Sequence, residues 1–120
     1  MIAYVLSYSD MAEHAQKIIE RWRKYVPPEV PKEEVELVVS FYLSGSFRIN
    51  IGTSHWIVIQ DDDLRLAKEN GITTGTQQGI LTLSHSHGKK VKAWLVKKLL
   101  RAIEIKEQFR QLREEQSKTP

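Results

Sequence analysis

The side chains most capable of chemistry in this 120-residue chain fall into three groups. Two histidines stand two apart in "SHSHG", so on a strand His85 and His87 would point the same way. With His55 from a neighbouring strand they could supply three imidazoles to a metal ion. The alternative is polar histidines beside a basic helix. Asp61, Asp62 and Asp63 could hold a cation, but an aspartate run ahead of "LRLAKE" fits a helix N-cap with a dipole-complementing first turn better. Arg48 and Asn50 alternate with Phe47, Ile49 and Ile51. They are the residue types that pair bidentately with guanine and adenine in a major groove. No Gly-rich phosphate loop, no GxSxG and no Ser-His-Asp order is present.

Charge is distributed unevenly. The net charge is +3, yet Gly88–Arg113 holds nine Lys/Arg against Glu104 and Glu107, and Pro28–Asn70 holds eight acids against four bases. The basic segment suits a polyanion partner as well as it suits a solvated helix face. There are no cysteines, which excludes disulfides and thiolate metal sites and fits a cytoplasmic protein. Met1–Ser9 lacks a basic front and a cleavage pattern, so it reads as structure rather than as a signal peptide.

The elements that must position these groups can be read in order. Ile2–Tyr8 reads as a strand. Ser9 or Asp10 then caps a helix carrying Met11, Ala15, Ile18, Ile19 and Trp22, which ends before Pro27 and Pro28. "VPPEVPKEE" is a stiff connector. The next stretch is ambiguous. Pro31 followed by Lys32, Glu33 and Glu34 resembles a helix start, but Val35, Leu37, Val39, Phe41 and Leu43 alternate like a strand, spoiled only by Val38. Ser46–Ile51 and His55–Gln60 read as a hairpin, Leu64–Glu69 as a short helix stopped at Asn70-Gly71, and Gly79–His87 as a strand. From Lys89 on the chain is helical. The apolar stripe changes phase near Ile103, which suggests two helices meeting at an angle or one bent helix. Trp22, Trp56 and Trp94 sit on apolar faces and read as core. Tyr42 and Phe47 could stack on bases, though core packing suits them better.

Taken with the helical option for residues 34–44, "ELVVSFYLSGSFRINI", "WIVIQDDDLRLAKENGI", "GILTLSHSHGKKVKAWLVKKLL" and "IEIKEQFRQL" together resemble the core of a LAGLIDADG homing endonuclease. The resemblance spans about residues 31–114 and leaves 1–30 as an N-terminal extension of a single domain. It implies an α+β fold, an antiparallel sheet with helices packed on one face. It also implies duplex DNA as partner, a homodimer joined through the 34–45 helices, and DNA contacts from Ser46, Arg48, Asn50, Thr82 and Ser84, with Lys89 and Lys90 on phosphates. In the family the motif ends in an acid that binds the divalent metal. Here that place is Ser44, with Tyr42 at the earlier acidic position. A hydroxyl is a poor Mg²⁺ ligand, which puts cleavage in question and leaves DNA binding.

Taken with the strand option, the chain reads as a ferredoxin-like βαββαβ plan with a C-terminal helix. On that plan the His85/His87 pair resembles the HUH nucleases, with Tyr4 or Tyr8 as the nucleophile and a serine, Ser86, where the family has a hydrophobic residue. A third reading is a non-enzymatic homo-oligomeric module whose basic helix is merely solvated.

Overall fold

A computed structural model describes residues 8–43, 45–51, 54–72, 80–85 and 89–118. Four helices and two small antiparallel sheets make an α+β arrangement: α1 (Tyr8–Lys24), β1 (Glu29–Pro31), α2 (Lys32–Tyr42), β2 (Ser46–Ile51), β3 (Ser54–Gln60), α3 (Asp62–Glu69), β4 (Ile80–His85), β5 (Lys90–Lys92) and α4 (Ala93–Lys118). The larger sheet has the order β2-β3-β4, and β1 pairs with β5 in the smaller one. Among the described residues no helix is long and apolar enough to cross a membrane.

The ambiguous segment is a helix, which removes the strand that the ferredoxin-like plan needs. Its buried residues are Val35, Val38 and Val39. Val38, the residue that spoils the alternation, is the one that completes a helical i, i+3, i+4 set. Valine is a middling helix former, so the helix depends on what it packs against. That partner is α1, whose Ala15, Ile18, Ile19 and Trp22 are all buried. Arg21 of α1 also pairs with Glu34 of α2.

The β1–β5 pair ties two helix starts together. Pro31 gives α2 no side-chain cap. Instead the Lys32 N–H donates to the Lys89 carbonyl at 2.9 Å, and the Ala93 N–H at the start of α4 donates to the Pro28 carbonyl at 3.0 Å. The residue just before each strand thus supplies an acceptor to the helix following its partner. Lys89 turns into β5 with φ +58°, a left-handed conformation that is costly for a side chain with a Cβ. The sequence reads residues 89–92 as helix; they form a turn and a strand.

The C-terminal segment is one 26-residue helix rather than a pair. Leu95, Leu99, Ala102, Lys106 and Phe109 are buried and follow a regular i, i+4, i+7 stripe. The apparent phase change arises because the stripe position after Ala102 is a lysine. The stop at α3 is as read: Gly71 has φ +84°, its N–H donates to the Lys68 carbonyl at 3.0 Å, and the Ile72 N–H donates to the Ala67 carbonyl at 3.0 Å. This is the Schellman arrangement, with Ile72 packed on the core.

Candidate nucleic-acid interface

The β2-β3-β4 sheet is where base readout was expected, and its register decides which residues share a face. Arg48 aligns with Ile57, which aligns with Leu83; Ser46 aligns with Ile59 and Leu81. Directly opposed residues on antiparallel strands lie on the same face. Ile57, Ile59, Leu81 and Leu83 are all buried, as is Val58 of the alternate row, and the side chains of residues 46–56 lie outside the described residues. Thr82 aligns with Val58 and Phe47, and Ser84 with Trp56 and Ile49, in the rows of the opposite face. The expectation that Ser46, Arg48 and Asn50 share one surface with Thr82 and Ser84 is corrected here. The pleat has period two, and the register sets the two groups one residue out of phase. Thr82 is exposed and Ser84 half-buried.

Lys89 is exposed and Lys90 half-buried at the β5 turn, followed by exposed Lys92, Lys97, Lys98 and Arg101. Trp94, expected in the core, is 63 % exposed on the same stretch, whereas Trp22 is buried as expected.

Among the histidines, the register sets His55 directly opposite His85. His87, like Ser44, lies outside the described residues. Among the described residues no three His, Asp or Glu side chains are grouped closely enough to hold a metal ion.

The aspartate run is a cap, but not a solvated one. Asp61 is 3 % exposed; its Oδ1 accepts the Leu64 N–H at 3.0 Å, and its Oδ2 accepts from Lys106 Nζ at 2.7 Å. Lys106 also lies 3.6 Å from Asp63, which Arg113 approaches at 3.4 Å. Arg113 in turn lies over the Phe109 ring. This network joins α3 to α4. Sequence reading missed it because the two partners are 45 residues apart; a lysine at a core position of the α4 stripe was the available signal. Tyr42, at the place of an acid in the resembling motif, is half-buried with its phenol pushed above its usual value. Burial is the main cause, Glu107 and Glu20 add to it, and Arg23 opposes it.

A second basic feature lies away from the sheet. The end of α1 and the first half of α4 enclose a cleft of about 460 Å³, lined by Trp22, Arg23, Lys24, Tyr25, Lys97, Arg101 and Glu104 among others. Arg23 lies 3.9 Å from Glu107, and Arg101 lies 4.0 Å from Glu104. Chain comparison adds no relative to this geometry: no family model, no curated protein and no solved structure matches the chain.

Proposed function

We propose that this chain is a double-stranded DNA-binding protein of LAGLIDADG type, held to its duplex chiefly through phosphates and without secure metal-dependent cleavage. The observation that carries the reading is the order of elements from Lys32: helix α2 ending at Tyr42, the β2–β3 hairpin, α3, β4 and the long basic α4. Through β4 that is the order the resemblance implies, reached in a segment whose local alternation favours a strand; β5 and the single helix α4 then stand where it implies a terminal helix pair. The row assignment of the sheet gives Arg48 and Asn50 no shared outer surface with Thr82 and Ser84. Affinity therefore falls to Lys89, Lys90 and Lys92, and binding tolerates changes of base sequence. A two-fold partner would use the strip of α2 that carries Glu33, Leu37, Ser40 and Phe41, where Glu33 and Ser40 are exposed and Leu37 and Phe41 half-buried.

The test is fluorescence anisotropy with a blunt duplex of about 20 base pairs. Three phosphate contacts give a log–log salt slope of about −2.7, so affinity should fall roughly fortyfold between 50 and 200 mM salt. Replacing Lys89 and Lys90 by alanine should flatten the slope by about 1.8. Absence of binding at 50 mM, or binding indifferent to salt, rejects the reading. The alignment of His55 with His85 favours one second reading, a transition-metal site completed by His87. Calorimetric titration with Zn²⁺ tests it, and uptake unchanged by His85→Ala rejects it.

A further inference from the structure

We infer that the cleft between α1 and α4 binds a phosphate of single-stranded nucleic acid, with Tyr25 stacked on an adjoining base. The charge of the lining points to an anion: Arg23, Lys24, Lys97 and Arg101 line the cleft against one acid, Glu104. Lys24 and Lys97 have no ion-pair partner among the described residues, and Arg101 meets Glu104 only at 4.0 Å. A phosphate accepts charge-assisted hydrogen bonds from such cations.

The aromatic rings narrow the class to a nucleic acid strand. Tyr25 is 66 % exposed on the cleft wall. Trp94, 63 % exposed, sits three and seven residues before Lys97 and Arg101, on the same face of α4. Exposed rings interleaved with lysine and arginine are what a splayed single strand needs: stacking for its bases and positive charge for its backbone. A duplex keeps its bases stacked on each other and has no use for the rings. The cleft is also separate from Lys89, Lys90 and Lys92, so it can fail or succeed independently of the duplex reading.

The test uses the full chain, a fluorescein-labelled dT10 strand and a blunt duplex. With dT10, Tyr25→Ala should weaken binding by about five- to a hundredfold, the range of one lost base stack. The double change Lys97→Ala with Arg101→Ala should weaken it at least tenfold and flatten its salt slope, while blunt-duplex affinity stays within twofold. In ¹H–¹⁵N spectra of the unaltered protein, dT10 should shift the Trp22 indole Nε1–H resonance, which reports on the cleft without changing a core residue. The inference is overturned if these variants bind dT10 as the parent does, or if the Trp22 resonance stays put. It is equally overturned if inorganic phosphate alone moves that resonance as far as dT10 does and Tyr25→Ala has no effect. Loss of duplex and dT10 binding in equal proportion would also sink it, because it would mean one shared site.

Discussion

Replacing Asp61 by alanine should be among the most destabilising single changes available outside the apolar core, because it removes two interactions of different kinds. The carboxylate caps α3 through the Leu64 N–H at 3.0 Å, and loss of such a cap costs about 1 kcal/mol. The same carboxylate is the close partner of Lys106, which is 7 % exposed and 2.7 Å away. Removing one member of a buried ion pair costs roughly 3–5 kcal/mol, since the other charge stays desolvated. Asp63 moderates this: at 3.6 Å it remains near the ammonium after the change, although it is itself partly solvated. The expected total is about 3–5 kcal/mol, a large share of the 5–15 kcal/mol that holds a typical domain together. In thermal terms that is a drop in Tm on the order of 10–20 °C.

The comparison that identifies the cause is a double-mutant cycle followed by urea unfolding. Lys106→Met keeps the length and helix preference of the side chain but leaves the Asp61 carboxylate buried without its cation, at a cost of about 2–3 kcal/mol. The combination Asp61→Ala with Lys106→Met removes both charges and fills the lysine's space with apolar atoms. It should lie within about 1–2 kcal/mol of the parent, roughly the lost cap, because a buried ion pair is often no better than a packed apolar substitute. The cycle should therefore show strong coupling. If Asp61→Ala costs less than about 1.5 kcal/mol and the two changes simply add, the lysine is reaching water or other partners, and the account of the α3–α4 joint fails.

Two further outcomes follow from single residues. Burial first, and then Glu107, raise the Tyr42 phenol above its ordinary 10.0. A raised folded value means that the stability held by the neutral phenol is complete below pH 10 and is lost as pH climbs through the folded value. Alkaline denaturation should therefore start later in Tyr42→Phe, and absorbance at the phenolate band should lose one titrating component; an unchanged alkaline limb counts against the assignment. Lys89→Gly should raise stability by roughly 0.5 kcal/mol, because relief of the left-handed conformation slightly exceeds the entropy cost of glycine. It should also weaken duplex binding, and an equal loss of both would mean that the turn is not strained.

How far the sequence revealed this structure depends on whether the deciding contact is local. The cap at Asp61, the stop at Gly71 and the hairpin follow from spacing within a few residues, and each is where the pattern puts it. The amphipathic stripe of α1 is also as read, but the helix includes Tyr8, so Ser9 and Asp10 lie inside its first turn and not at its cap, and the expected strand over residues 2–7 lies outside the described residues. Helix α2 follows only when the downstream order is weighed, since alternation and β-branching argue for a strand and only Val38 argues against it. Three features depend on distant partners and were not legible. Lys106 looked like a solvent-facing residue and a break in the stripe until Asp61 is brought beside it. Residues 90–92 looked like the first turn of α4 until β1 offers an edge 60 residues earlier. Trp94 looked like core because its helix is apolar nearby, yet it faces out with Lys97 and Arg101.

The same reasoning bears on the N-terminal segment, which the resemblance left without a role. In the family implied by the resemblance, the helix at 34–45 is where two subunits meet. Here α1 lies along that helix and joins it through the Arg21–Glu34 pair, so part of the surface for a second copy is already covered from within the chain. The rest of α2 carries the narrow Glu33–Leu37–Ser40–Phe41 strip, whose two apolar side chains are half-buried, with Leu37 packed on the core. A strip of that width is well short of the buried area on which a stable dimer rests. Self-association through α2 should thus be weak and should rise with concentration over the micromolar range in sedimentation experiments. Leu37→Glu should abolish it, while a tight dimer insensitive to Leu37→Glu would show that two copies meet on another face.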